Sequence, residues 1–311
     1  MANSRLFIRQ YKLSLTVIAI NLGCIAGLSL SVEHSINSKI PLPINEEKYQ
    51  QNQPQNIPKF KVEIPQQQQK ANQKLVGKLV QEEAKSLNFS VPLQFQGKTI
   101  REVKIKSEQK VIALTFDDGP WQNTTVQVLD ILKQETIKAT FFVVGKSIKN
   151  HPHIIKQVVA DGHAIGNHTW SHQYHQYSSA HAAREFNQTA DLIYKLTGVK
   201  TSLFRPPAGI LNNGLVSYAH QQKYAVIMWS VDSKDWRSRH ITVQGLIDST
   251  LKAAQPGGIV LMHDGGGDRS KTVEALPKLI AELKKQGYQF VTVPELLEME
   301  ANENKRLHVT P

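Results

Sequence analysis

Cysteine is all but missing from this chain. The 311 residues include one, Cys24, so no intrachain disulfide can form and cysteine usage does not identify a redox compartment. Acidic residues are in the minority, 26 against 37 Lys and Arg, which leaves a net charge of +11. Nucleic acid is the usual partner of such an excess. Neither an Arg-rich recognition helix nor an aromatic–basic stacking segment is present, so nucleic acid is not the expected partner. No appended lectin-like repeat or wall-binding module is visible. What remains is an ordinary soluble-domain composition, 40% hydrophobic, in a chain long enough for one large domain plus appendages.

The charge is unevenly spread. Residues 1–109 carry 15 basic and 8 acidic side chains, and residues 110–298 carry 20 and 16. A basic arm favours an anionic surface, such as membrane lipid or an acidic wall polymer. Arg5, Arg9 and Lys12 precede an uncharged run of nineteen residues, Leu13–Ser31. At about 1.5 Å rise per residue that run just spans a hydrocarbon core. A positive flank, an apolar stretch and small residues at Ser29 and Ser31 also fit a cleavable signal peptide. The run is longer than a usual signal core and contains Asn21, so an uncleaved anchor is the favoured reading of residues 1–31. Either way the flank stays cytoplasmic and the rest is exported. Asn21-Leu-Gly-Cys24 resembles a lipoprotein cleavage site, but Asn21 stands where an aliphatic residue is needed.

Residues 32–70 are rich in Gln and Pro, including Gln66–Gln69. Such a segment buries too little apolar area to fold and reads as a disordered tether. Residues 71–109 form an extension expected to pack on the domain's outside. It has helical spacing at Leu75, Val76, Leu79 and Val80, then a strand-like stretch at Thr99–Ile105.

From Val111 strands alternate with helices. Strands are expected at Val111–Phe116, Ala139–Val144, His163–Gly166, Ser202–Phe204, Tyr224–Trp229, Gly258–Met262 and Gln289–Val291. Helical patterns include Ala182–Leu196 and Val273–Gln286. The alternation predicts a parallel sheet with crossover helices. Periodicity does not separate a barrel from an open doubly wound sheet.

Polar clusters follow the apolar runs. The first two are Thr115-Phe-Asp-Asp-Gly-Pro120 and His168-Thr-Trp-Ser-His172. The i, i+4 histidines are expected on one face of a helical turn. Two imidazoles and a carboxylate suit a hydrolytic Zn2+ or a similar divalent ion. A second, uncoordinated Asp would supply a general base. Arg205-Pro-Pro-Ala-Gly209, Asp232-Ser-Lys-Asp-Trp236 and Leu261-Met-His-Asp264 complete the set. Catalytic groups at the C-terminal ends of successive strands are how α/β barrels build active sites.

Together these five segments, in this order, resemble the polysaccharide deacetylase (NodB-type, carbohydrate esterase 4) family over residues 110–298. The resemblance implies an α/β fold, a distorted (β/α)7 barrel, following the N-terminal membrane segment and low-complexity linker and followed by a tail at 299–311. It implies Asp118, His168 and His172 as ligands of a divalent metal, Zn2+ first and Co2+ second. Asp117 would be the base, held by Arg205. His263 would be the acid that protonates the leaving amine, with Asp235 bonded to it and raising its pKa, though Asp264 stands beside it as a competitor. Trp236 and Leu261 would receive the acetyl methyl, and the Pro207–Ala208 segment would supply a backbone donor to the oxyanion. Ala208 departs from the family, where an aromatic residue is common, which puts contacts to the sugar ring in doubt. His151, His153, His163, His175 and His181 lack the spacing and read as bystanders.

The implied activity is hydrolysis of N-acetyl groups on an extracytoplasmic N-acetylhexosamine polysaccharide, with peptidoglycan N-acetylglucosamine the best fit to an exported, tethered, basic monomer. An O-deacetylase of acetylated xylan or exopolysaccharide uses the same machinery. A non-catalytic glycan-binding protein would be expected to lack a motif residue, and every one is present.

Overall fold

The computed structural model describes residues 88–106 and 108–309. The expected anchor, the Gln-rich tether and the helical pattern at 71–86 lie outside the described residues. No helix among the described residues is long and apolar enough to cross a membrane.

The element order is β1 (Asn88–Phe89), β2 (Thr99–Ile100), β3 (Val111–Asp117), α1 (Thr124–Gln134), β4 (Thr140–Val143), α2 (Gly145–Asn150), α3 (Pro152–Ala160), β5 (Ala164–Asn167), α4 (Ser179–Thr197), β6 (Lys200–Thr201), β7 (Leu203–Phe204), α5 (Leu215–Gln221), β8 (Ala225–Ile227), β9 (Val231–Asp232), α6 (Val243–Ala253), β10 (Gly258–His263), α7 (Ser270–Lys285), β11 (Gln289–Phe290) and α8 (Val293–Val309). All seven expected strands fall on observed ones. The strand-like stretch at 99–105 shortens to two residues, and α8 runs through the expected boundary at residue 298.

The main sheet is parallel throughout, in the order β2-β8-β7-β5-β4-β3-β10-β9 with β11 beside β3. Strands buried on both faces read as unbroken apolar runs, and every residue of β3 and β4 is buried. The sheet curls into a half-barrel with helices packed against it. Residues 99–103 run along its seam: Thr99 pairs with Val226 of β8, and Val103 N–H donates to Gly257 O, just before β10. Val91, Phe95, Ile100 and Val103 join a core cluster with Leu296, Leu297 and Ala301 of α8.

Helix faces follow the expected spacing. On α1, Thr125, Val128, Leu129 and Leu132 are buried, an i, i+3, i+4, i+7 stripe against the sheet. Each such aliphatic side chain contributes about 1.5–3 kcal/mol on burial. Helix α4 starts where Ser178 accepts a hydrogen bond from His181 N–H and stops at Gly198, whose φ of 73° suits a residue without Cβ.

Register places the chemistry. Asp117 of β3 is level with His263 of β10 and with Phe142 of β4. Phe142 is level with Gly166 of β5, and Asn167 with Phe204 of β7. The residues that leave these strands next, Asp118, His168 and Arg205, therefore share one rim, at the strands' C-terminal ends.

Candidate active site

His168 and His172 sit on a loop after β5, not on the helical turn that their spacing predicts. Side chains take the N–H groups a helix would need for its carbonyls. Asn167 Oδ1 accepts from Thr169 N at 2.8 Å, and Thr169 Oγ1 from His172 N at 3.1 Å. Glu185 of α4 accepts from Trp170 N at 3.1 Å and from Ser171 N at 2.8 Å through Oε2, and from Ser171 Oγ at 2.7 Å through Oε1. Thr169 and His172 adopt positive φ, 68° and 54°. The loop still brings the two imidazoles together, with centroids 4.8 Å apart.

His168 Nδ1 lies 2.7 Å from Arg205 O. A carbonyl only accepts, so Nδ1 carries the proton and Nε2 presents a lone pair. That Nε2 is 3.1 Å from His172 Nε2 and 3.5 Å from Asp118 Oδ1, and His172 Nε2 is 3.0 Å from the same oxygen. Asp118 Oδ1 is buried without a hydrogen-bond donor. Burial alone would raise the Asp118 pKa, but the His168 and His172 imidazoles facing it outweigh that and hold the carboxyl well below its usual range. One atom from each residue lies within 4.8 Å of the others. Electron-pair donors that converge in this way fit a divalent cation, and a two-histidine, one-carboxylate set leaves positions open for water and substrate. Gly266 closes one side of Asp118. Its φ is 72°, and a Cβ there would meet Asp118 Oδ2 at 2.3 Å.

Asp117, the neighbouring carboxylate, is held differently. Its Oδ1 accepts from Arg205 Nη1 at 2.7 Å. Arg205 is fully buried inside the curled sheet. It also donates to Thr115 Oγ1, Ile227 O and Met228 O, and its guanidinium lies 4.1 Å from the Phe142 ring centroid. Burial lowers the Arg205 pKa, and the Asp117 charge opposes that. Removing the guanidinium would leave a buried, uncompensated carboxylate, a loss of about 3–5 kcal/mol. Asp117 Oδ2 has no hydrogen-bond donor among the described residues, and Asp117 lines the central cavity.

Across that cavity, His263 Nδ1 donates to Asp235 Oδ1 at 2.7 Å. Asp235 Oδ2 accepts from His263 N at 2.7 Å and from Thr272 Oγ1 of α7 at 2.9 Å. Burial works against a charged His263, but the Asp235 charge and hydrogen bond prevail and raise its pKa to about 9. Asp235 is also buried, yet the His263 charge and hydrogen bond hold its pKa below the ordinary value. Asp264 does not compete for His263. It turns inward, accepting from Thr125 Oγ1 at 2.6 Å and Gly119 N at 3.2 Å, and burial raises its pKa to about 7.

The cavity, about 430 Å³, is bordered by Asp117, Asp118, His168, His172, Ala208, Trp236, Leu261 and His263. Pro207 is buried in the short turn Pro207–Gly209, and the neighbouring Pro206 borders the cavity. Ala208 takes a left-handed conformation, φ 53°, and its N–H makes no hydrogen bond among the described residues. Of the bystander histidines, none borders the cavity. His163 is buried and accepts from Ala139 N at 3.1 Å, and burial lowers its pKa to about 4.

Two residues escape the sequence reading. Glu185 clamps the histidine loop. Arg269 lines the cavity, with Nε donating to Gly265 O at 2.7 Å, Nη1 to Asp235 O at 3.2 Å, and Nη2 3.8 Å from Asp118 Oδ2. The i, i+4 spacing of His181 and Glu185 is the only local signal for either.

A family model for polysaccharide deacetylase matches residues 104–227. A peptidoglycan-N-acetylglucosamine deacetylase of Bacillus cereus is 42% identical over 196 residues, 62% of this chain and 91% of the relative. The crystal structure of the Bc1960 peptidoglycan N-acetylglucosamine deacetylase, in complex with an N-hydroxybenzamide compound, matches with a TM-score of 0.60 and 33% identity. It covers 66% of this chain and 94% of that one. A carbohydrate esterase 4 family pseudoenzyme from Bacillus anthracis matches with a TM-score of 0.58 and 31% identity, over 64% of this chain and 68% of that one.

Proposed function

The chain belongs to the polysaccharide deacetylase family, and from that membership we propose a metal-dependent N-deacetylase that acts on peptidoglycan N-acetylglucosamine outside the cytoplasm and releases acetate. The fold it uses is the distorted (β/α)7 barrel, tethered to the membrane by its N-terminal segment. The observation that carries the reading is one cavity bordered by three converging electron-pair donors, a carboxylate with a free oxygen, and a charged His–Asp pair.

Asp118, His168 and His172 would hold the divalent ion, with Zn2+ preferred. When bound, it would polarise the acetyl carbonyl and acidify the attacking water. Asp117 takes the proton from that water at Oδ2, because Oδ1 is occupied by Arg205. The Ala208 N–H, free of other bonds, donates to the oxygen that gains charge. His263, protonated through its pairing with Asp235, gives the Nε2 proton to the departing amine. Leu261 and Trp236 border the space for the acetyl methyl and the sugar.

Acetate release from purified peptidoglycan, chitooligosaccharides and acetylated xylan tests the substrate. Release that is fastest from peptidoglycan supports the reading. Fastest release from xylan points to the O-deacetylase, and no release from any glycan points to a glycan-binding protein.

A further inference from the structure

A second cavity, about 470 Å³, adjoins the first and is bordered by Trp236, Arg237, Ser238, Arg239 and His240. Trp236 borders both. Its indole is 48% exposed, large for an aromatic side chain and suited to covering the face of a sugar. The loop is built rather than draped. Lys271 Nζ donates to Ser238 O at 2.6 Å and to Ile241 O at 2.8 Å. Arg237 N donates to Lys234 O at 3.0 Å, and Arg237 O accepts from His240 N at 2.7 Å. The Arg237 guanidinium lies 4.7 Å from the Trp236 ring centroid.

Arg237 and Arg239 are exposed, and neither has a carboxylate within ion-pair distance among the described residues. The acid nearest in the loop, Asp232, is engaged by Lys234 N at 2.8 Å and Trp236 Nε1 at 3.3 Å. A free cationic pair beside an aromatic platform, both next to the reaction cavity, matches a polymer that carries a carboxylate on the adjoining sugar. A neutral aminoglycan offers the two guanidinium groups only neutral acceptors, without the stronger charge-assisted pairing of a carboxylate.

We propose that the Trp236–His240 rim is a subsite for a carboxylate-bearing sugar next to the one being deacetylated, and that it sets a preference for acidic over neutral aminoglycans. The proposal rests on the glycan reading of the main cavity and deepens it. The probes are a peptide-free peptidoglycan tetrasaccharide, which carries lactyl carboxylates, and chitotetraose, which is neutral and of equal length. Binding of each to the full chain is measured by calorimetry at low and high salt, with acetate release followed in parallel.

The wild-type chain is expected to bind the acidic probe about three- to tenfold more tightly than the neutral one at low salt, the scale of two exposed ion pairs. The Arg237→Gln/Arg239→Gln variant and high salt should each erase that preference. Equal wild-type affinity for the two probes, or a preference that survives the double substitution, would overturn the subsite. Should the preference hold while neither probe yields acetate, the subsite stands and the deacetylase reading fails.

Discussion

On the wall formed by β3 and the loop after β5, Asp118 Oδ1 and the Nε2 atoms of two histidines face one another, and the carboxylate oxygen has no donor. On the wall formed by β10 and the turn after β9, Asp235 accepts from His263 N, His263 Nδ1 and Thr272 Oγ1, so both of its oxygens are engaged. Both walls concentrate negative charge in a buried place. The difference is how that charge is met. On the first wall three electron-pair donors converge, which supports the proposed cation site. On the second a proton on His263 meets the charge of Asp235.

The largest expected effect comes from the group that stands between the walls. Asp117→Asn keeps the shape but removes the free Oδ2 as a base, so turnover should fall about 10²–10⁴-fold. Single-turnover acetate release checks it, and a turnover near wild type would give the base's role to another residue.

A smaller effect sharpens the second wall. His263 is protonated up to about pH 9 because Asp235 stabilises its charge. An acid must carry its proton, so activity should fall as pH rises through that pKa. Asp235→Asn removes the stabilising charge, and the basic limb of the kcat profile should move toward lower pH by about one to two units. The pH–rate profiles of both forms, at equal metal content, measure the shift. An unmoved limb would separate His263 from the acid role.

The smallest effect concerns the first wall's support. Glu185 touches no reacting atom but fixes Trp170 and Ser171, between the two histidines. Glu185→Ala should weaken metal affinity about 10–100-fold, the usual scale for groups that orient ligands. Chelator competition reads this apart from turnover, and Glu185→Gln, which keeps two acceptor lone pairs, should recover part of the loss. An unchanged metal affinity would limit Glu185 to a role in folding.

The two walls were unequally legible in the sequence. Strands β3, β4 and β10 are buried on both faces, so they stand out as apolar runs with polar residues at their ends. That is why the clusters holding Asp117, Asp118 and His263 can be placed at strand ends from the sequence, while the family resemblance is what joins them with His168 and Arg205 in one site. The conformation of His168–His172 is not legible, because it depends on Asn167, Thr169 and Glu185 capturing its N–H groups. Glu185 itself looks like one more polar residue of an amphipathic helix. Arg269 lies beyond Gly265–Gly267 and Asp268, past the end of β10, so no apolar run leads directly into it. Asp264 looked like a partner for His263 because it is adjacent, but consecutive residues at a strand's end point to opposite faces, and it turns toward Thr125. The left-handed backbone of Ala208 has no signature in its residue type.

We assign the two adjacent aspartates to different chemistries, one to the cation and one to the proton. Metal content of Asp117→Asn and Asp118→Asn, after equilibrium dialysis against Zn2+, tests it most directly. Asp117→Asn should retain about one ion per chain, as wild type should, since Asp118 and the two histidines remain. Asp118→Asn should lose most of it. Retention by Asp118→Asn together with loss by Asp117→Asn would contradict the assignment and exchange the two roles.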